Sequence, residues 1–295
     1  MKKAFLGPPI LLVLTLSLFA QSEFLPRFEL HAMGGYGLSQ FRGDSAYVYN
    51  WNYEQLRDVL EDTRLSMKAN NAAFFTGGVS YFFHPNVGIQ IGGGYFLSKL
   101  AINGVFDFSW IWMSSLSGSE SKNWAGDGKM STLPLFLNIV GKFKMDRVNV
   151  FLTAGPAFYL NSFEANSFVG YGATLYYEYF ISPDWYYDQS LDAFQIPASI
   201  SKTSWTAFGA NFGFGIDIEV SPNVAITAEG RYFLVPKKSL SWEWTPGTYD
   251  GIFEILQGTF TEDDFADFQK EMTTLDVKPS FFSFALGLRL TFGQK

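Results

Sequence analysis

The segment that most constrains the fold is Phe281–Phe292, because large apolar residues alternate there with small or polar ones along its whole length. The apolar positions are Phe282, Phe284, Leu286, Leu288, Leu290 and Phe292, and the positions between them are Ser283, Ala285, Gly287, Arg289 and Thr291. A period of two is typical of a β-strand. The segment therefore predicts a strand with one apolar face and one polar face.

The same alternation recurs along the chain and predicts eight strands in all. Their approximate bounds are Arg27–Phe41, Ala73–Phe83, Val87–Lys99, Leu133–Phe143, Val148–Asn161, Ser204–Val220, Val224–Val235 and Phe281–Phe292. Each is long enough for a tilted strand that crosses a bilayer, which needs about 9–11 residues. A Lys or Arg that faces lipid costs about 2–4 kcal/mol at the midplane. We therefore expect the apolar positions to face lipid and the strand charges to lie on the opposite face.

The connections between the predicted strands alternate between short and long. His84–Asn86, Lys144–Arg147 and Ser221–Asn223 have the Pro, Asn and Asp content of tight turns. The other connections are four loops of about 30–45 residues, far longer than ordinary loops. This pattern predicts an all-β fold, an eight-stranded antiparallel up-and-down transmembrane barrel with short periplasmic turns and four long extracellular loops.

The predicted inner face carries a set of charged and ionisable residues that we expect to form a polar network. Its members are Glu29, His31, Lys142, Asp217, Glu219, Glu229, Arg231 and Arg289, with Arg27 at the start of the first strand. The interior of an eight-stranded barrel is only wide enough for side chains to fill. The charges must therefore pair with each other or with water. They form either a plug that closes the barrel or, alternatively, a gated ion path with movable ion pairs.

The start of the chain has the features of a secretory signal peptide. Met1-Lys2-Lys3 precedes an apolar run that ends at Ala20, and Gln21-Ser22-Glu23 follows. We expect residues 1–20 to be cleaved and residues 21–295 to form the barrel domain.

The chain has no Cys, which excludes disulfides and Cys-ligated metals. Its formal net charge of −7 argues against a nucleic-acid partner, and we expect no cofactor and no metal.

The sequence resembles the outer-membrane beta-barrel domain family that includes the OmpA- and OmpX-type small porins. The resemblance is carried by the signal peptide, the alternating strands, Gly34-Gly35-Tyr36-Gly37, the Pro-Asn turns, Thr153-Ala154-Gly155-Pro156 and the aromatic last strand. It implies the outer membrane of a Gram-negative-type bacterium as the location, lipid and the barrel-insertion machinery as partners, and a monomer. It also implies that Gly287, Leu290 and Phe292 belong to the insertion signal.

The long loops contain two stretches that predict short helices, at Tyr53–Asp62 and Thr261–Phe268. They also contain aromatic residues that either pack as a cap or recognise a partner: Trp185, Tyr186, Tyr187, Trp242 and Trp244. The third loop has five acidic residues against one Lys, and the fourth has nine acidic residues against four Lys. We expect these two loops to repel phosphate-rich ligands.

Catalytic function is not expected from the sequence. There are only two His residues; His84 lies in a predicted periplasmic turn and His31 near the same rim, away from the outer leaflet. No nucleophile elbow, metal-ligand cluster or phosphate loop is present. The sequence therefore favours a non-enzymatic protein with a structural or adhesion-like role, which binds a host or surface protein through its loops. The alternative is a narrow porin-like channel for small solutes.

Overall fold

The computed structural model describes residues 26–51, 56–112, 116–181, 184–241, 243–244 and 275–293. The predicted signal peptide and the predicted helix at Thr261–Phe268 lie outside the described residues. Within the described part of the chain, no helix is long and apolar enough to cross a membrane.

The described residues form thirteen strands. They are β1 (Arg27–Ser39), β2 (Arg42–Trp51), β3 (Leu56–Ala69), β4 (Ala72–His84), β5 (Val87–Trp112), β6 (Leu116–Met145), β7 (Val148–Ile181), β8 (Asp184–Ser221), β9 (Val224–Leu234), β10 (Lys238–Leu240), β11 (Glu243–Trp244), β12 (Leu275–Val277) and β13 (Phe281–Phe292).

Eight of these strands close into an antiparallel barrel. Going round the ring the order is β1, β4, β5, β6, β7, β8, β9 and β13, and β13 pairs back to β1. In that closing pair Phe28 lies opposite Phe292 and Ser39 lies opposite Phe281. The turns at Pro85–Asn86, Asp146–Arg147 and Pro222–Asn223 lie at one end, as predicted. The predicted fold class is confirmed.

The second and third predicted loops and part of the first are β-structure instead of irregular chain. Strands β5 to β8 have 26, 30, 34 and 38 residues. At about 3.3 Å per residue, each continues far beyond the segment that a bilayer requires. The predicted helix at Tyr53–Asp62 is wrong in its described part. Residues from Leu56 onward form β3, which pairs with β2 on one side and β5 on the other, and these ladders outweigh a short helical spacing.

The apolar residues at alternate positions of the barrel strands, which were predicted to face lipid, do face outward. The most exposed apolar residues of the barrel strands belong to this set, including Phe208 (71% exposed), Leu286 (66%) and Ile139 (65%). Lys99 is an exception to the expectation that charges stay on the inner face. It shares the outward parity of β5 and is exposed, but it lies at the extracellular end, just above Leu97.

Two glycines allow β1 and β13 to approach closely where the barrel closes. A Cβ added at Gly35 would lie 1.8 Å from the Phe284 carbonyl oxygen, and one added at Gly287 would lie 2.0 Å from the Ala32 carbonyl oxygen. Backbone atoms cannot yield as a flexible side chain can. Gly287 is therefore required by the packing of this seam, whatever its part in insertion.

We predict that Gly287→Val destabilises the refolded barrel by roughly 1–3 kcal/mol, the usual cost of overpacking. Unfolding by guanidinium in detergent micelles measures it. The control is Gly34→Ala on β1, where the added Cβ would meet only the Phe75 ring at an ordinary 3.5 Å. Equal stability of the two variants would contradict the account of the seam.

Candidate functional site

The lumen has a ring of alternating charges near the periplasmic end. Lys142 Nζ lies 2.8 Å from Glu29 Oε1 and 2.9 Å from Asp217 Oδ2. Arg289 completes the ring, because Nη1 lies 2.8 Å from Glu29 Oε2 and Nε lies 3.1 Å from Asp217 Oδ1. All four side chains are almost fully buried. Two cations and two anions thus neutralise each other across strands β1, β6, β8 and β13.

Further contacts hold this ring in place. Thr227 Oγ1 donates a hydrogen bond to Asp217 Oδ1 at 2.8 Å. Arg27, which lies at the periplasmic mouth, donates from Nε to Glu29 Oε1 at 3.2 Å. The Arg289 guanidinium lies 4.6 Å from the centre of the Phe151 ring. Positively charged groups are stabilised over aromatic faces. The contacts of Asp217 with Thr227 and of Arg289 with Phe151 therefore join the ring to strands β9 and β7, and the contact of Arg27 with Glu29 lies within β1.

A second polar group lies in the lumen separately from the ring. Arg231 Nε donates to Glu229 Oε1 at 2.5 Å, and Arg231 Nη2 donates to Gln90 Oε1 at 3.0 Å. Asn138 donates to the same Gln90 oxygen at 3.0 Å, and the Asn138 and Asn211 amides exchange hydrogen bonds at 3.0 and 2.8 Å. The contact between Arg231 on β9 and Gln90 on β5 thus crosses the barrel, and the amides of Asn138 and Asn211 extend it to β6 and β8.

The structure divides the predicted network into separate groups. Glu219 lies at the periplasmic mouth, where it accepts from Asn149 at 3.0 Å and pairs with the exposed Lys144 at 3.4 Å. His31 faces the lumen and is buried, but its ring nitrogens make no hydrogen bond to any described residue. The predicted residues all face inward, but only four of them form the ring.

The extracellular half of the lumen is filled by aromatic rings that were not predicted from the sequence. The Phe281 ring stacks on Phe96 and on Phe233, with centroids 4.5 and 4.6 Å apart, and Phe74 packs 5.5 Å from Phe233 and from Phe281. All four are fully buried. Each ring occupies an inward-facing position of its strand, in alternation with residues that face lipid. That alternation is the sequence signal that could have identified them.

The apolar filling continues above the barrel. A single buried cluster joins these rings to residues of the extracellular extensions, including Phe41, Met67, Ile102, Met130, Phe163, Ile200, Leu275 and Val277. The extensions near the membrane therefore share a core with the lumen, and they stand on the barrel as folded structure.

The aromatic loop candidates lie in different places. Trp185, Tyr186 and Tyr187 are at the start of β8, where the backbone register sets Trp185 opposite Phe180. Trp244 is in β11, opposite Ala198 of β8, and Trp242 lies outside the described residues. Ala198 is thirteen positions from Trp185 along β8, or about 43 Å at strand spacing. Packing as a cap and recognition of a partner therefore both stay predictions for these residues.

Comparison with known proteins identifies the family. The sequence model described as "Outer membrane protein beta-barrel domain" matches residues 10–289. The chain belongs to this family, which indicates the outer membrane as its location. No curated protein matches the sequence.

Solved outer-membrane proteins are similar in fold at low identity. OprG from Pseudomonas aeruginosa is 8% identical, with 91% of this chain and 96% of that chain covered and a TM-score of 0.47. The outer membrane protease OmpT from Escherichia coli is 11% identical, with 94% and 100% covered and a TM-score of 0.40. Ail, the attachment invasion locus protein of Yersinia pestis, is 11% identical, with 89% and 98% covered and a TM-score of 0.31. Likenesses of this size carry no inference about activity.

We predict that Arg289→Ala lowers the free energy of unfolding by about 3–5 kcal/mol, because it leaves Glu29 and Asp217 each without one buried partner. Denaturant unfolding of the refolded protein in micelles measures the change. The matched control is Lys144→Ala, which breaks the exposed pair with Glu219 and is expected to cost about 0–1 kcal/mol. If the two substitutions cost the same, the buried ring does not hold the wall together.

Proposed function

We propose that this protein is a closed, non-enzymatic outer-membrane barrel whose function is to present its extracellular strands to a partner, in a structural or adhesion-like role. The observation that carries the proposal is the filled lumen. An ion-pair ring, an amide bridge and a cluster of four Phe rings occupy successive levels of the interior. Such a barrel offers solutes no continuous aqueous route.

The extracellular strands support the second half of the proposal. The β7–β8 hairpin continues in register from Asn166 opposite Ser199 to Ile181 opposite Asp184, after β6 has ceased to pair with β7 at Asn166. This part of the hairpin spans roughly 50 Å. Crossing a bilayer needs none of this length, and binding residues concentrate on segments that a rigid scaffold holds away from its core.

The charge of this hairpin indicates the kind of partner. Between residues 167 and 198 the sequence has four acidic residues, Glu178, Asp184, Asp188 and Asp192, and no Lys or Arg. It also contains most of the aromatic residues of the third predicted loop, including Trp185, Tyr186 and Tyr187. Aromatic residues dominate binding hot spots, and an acidic surface steers basic partners toward it. We therefore favour a protein partner with a basic surface.

The proposed absence of catalysis rests on the described side chains. Among them no group of three His, Asp or Glu is placed to hold a metal ion. The buried carboxylates are paired with Lys or Arg within the lumen, where an outer-leaflet substrate would not reach them. A lumenal His without a hydrogen-bonded Ser or acid lacks the geometry of a general base.

We predict that the refolded protein gives no conductance steps in planar bilayers at either polarity. Removing bulk from the aromatic layer with Phe96→Ala and Phe281→Ala is expected to leave the barrel closed as well, because the ion-pair ring lies on a different level. Regular steps from the unaltered protein would overturn the closed-barrel proposal and favour the narrow channel.

We also predict that deletion of residues 168–197, with Ser167 and Ala198 rejoined by an Asn-Gly turn, abolishes adhesion and leaves a folded barrel. Ser167 and Ala198 are register partners, so the shortened hairpin keeps its ladder. Cells that display each variant are scored for adhesion to immobilised collagen, laminin and fibronectin, and folding is checked by heat-modifiable gel mobility.

The control deletion removes residues 106–122 from the β5–β6 hairpin, where Val105 and Asn123 are register partners. It should retain adhesion. If the parent adheres to none of the three surfaces, or if the two deletions behave alike, the assignment of binding to the β7–β8 hairpin is wrong.

A further inference from the structure

Four cations form a row across the outer face of strands β2, β3, β5 and β6. They are Arg42, Lys68, Lys99 and Lys129, and each is exposed between two neighbours that are buried. The buried neighbours, such as Met67 and Leu100, belong to the apolar core, so the four cations point away from the barrel axis. They lie at the extracellular end of the wall.

The cations are opposed in like-charged pairs. Arg42 lies directly opposite Lys68 on the neighbouring strand, and Lys99 lies directly opposite Lys129. Lys68 is opposite Ala101, two residues from Lys99 on the same face, so the row is continuous. Like charges directly opposite each other on a sheet are destabilising. A bound anion is the simplest means of offsetting two such pairs side by side.

The described acidic residues nearest to the row do not form ion pairs with it. Asp127 is exposed on the same face of β6, two positions from Lys129, and lies opposite Ala101. Glu164 lies opposite Lys129 on β7, but among the described residues none of the four cations makes an ion pair. In contrast, Lys237 at the same end of the barrel is paired with Asp276 at 2.8 Å. The row is therefore an exposed cationic surface on a chain whose formal net charge is −7.

The wall directly below the row faces lipid and contains an open groove. Leu97 and Tyr95 follow Lys99 down the outward face of β5, and they are 46% and 45% exposed. The groove is shallow and open to the outside of the barrel. Its outward lining is Phe75 and Tyr95 with Ala32, Gly34, Gly77 and Gly93 between β1, β4 and β5. Tyr95 is four residues from Lys99, or about 13 Å along the strand.

Gly34 differs from the other glycines of the groove, because a Cβ added at Gly77 or Gly93 would lie 3.2 Å from a backbone carbonyl oxygen. A Cβ added at Gly34 would meet only the Phe75 ring, at 3.5 Å, so the barrel itself does not demand a glycine there. A cationic row above an apolar groove matches the two parts of a lipid, an anionic headgroup at the membrane surface and an acyl chain beneath it.

We propose that Arg42, Lys68, Lys99 and Lys129 bind the phosphate-bearing headgroup of an outer-leaflet lipid, with an acyl chain of that lipid in the groove between Phe75 and Tyr95. Two pairs of cations suit a headgroup with two phosphates, because Lys and Arg are the usual phosphate ligands. This site is separate from the acidic third and fourth loops, which were expected to repel phosphate-rich ligands. The site lies on strands β2, β3, β5 and β6, which include residues of the first and second predicted loops.

The first test compares two variants that each remove two positive charges. Lys99→Gln with Lys129→Gln removes an opposed pair of the row, and Lys144→Gln with Arg147→Gln removes two exposed cations at the periplasmic end. Binding of diphosphorylated lipid A to the refolded protein in a zwitterionic detergent is measured by native mass spectrometry. The row variant is expected to lose affinity by roughly 25-fold, about fivefold for each basic residue at a membrane surface, and the control variant should bind as the parent does.

The stability of the row variant relative to the parent is expected to be higher without lipid A and lower with it. Without lipid A, the row variant should unfold at a higher denaturant concentration than the parent, because a like-charge pair has been removed. With lipid A, the parent should gain stability and the row variant should gain much less, because a ligand stabilises the state that binds it. A parent that gains nothing from lipid A would overturn the proposal.

Gly34→Leu tests the groove and distinguishes a lipid from a free anion. The substitution is expected to reduce lipid A affinity severalfold and to leave binding of inorganic pyrophosphate unchanged, because only the acyl chain enters the groove. Lipid A without its phosphates should bind poorly to the parent. The proposal fails if dephosphorylated lipid A binds as well as the diphosphorylated form, or if pyrophosphate binds as tightly as lipid A.

Discussion

The structure depends on the requirement that every backbone N–H and C=O group in the bilayer finds a partner within the protein. Lipid offers no hydrogen bonds, so an open sheet edge inside the hydrocarbon would leave a row of unpaired groups. The β1–β13 ladder, with twelve register pairs, removes that edge. Closing the ring at eight strands brings the two walls close together, and Gly35 and Gly287 permit the approach of the closing strands.

The narrow interior that results from closure determines the chemistry of the lumen. Side chains from opposite walls must meet, so charged residues can be present only as compensated pairs. Glu29 and Asp217 each contact both Lys142 and Arg289. Closer to the extracellular end, the inward-facing positions are occupied by Phe rings, which fill the space without polar partners. The inward-facing residues of one strand can therefore be polar near the periplasmic end and apolar near the extracellular end.

The outer face is divided in a corresponding way. Apolar residues cover the belt that contacts lipid, and cations lie at its extracellular margin. The sequence concentrates acidic residues in the third and fourth predicted loops. Each zone has a different solvent: hydrocarbon, headgroups and water. The proposed lipid site and the proposed partner surface therefore lie at different heights on one scaffold, and substitutions at one are not expected to disturb the other.

The sequence by itself determined the barrel, its eight strands, its short turns and the face of each strand, because alternation and turn composition are local properties. It also identified the inward charges of the ring. Only the tertiary structure decided which charges meet, since Lys142 and Glu29 are 113 positions apart. It also turned Leu56–Ala69 into a strand, because pairing with β2 and β5 supplies hydrogen bonds that local spacing does not reveal. The Phe cluster in the lumen and the opposed cations of the row depend on cross-strand register, which a single strand's pattern does not specify.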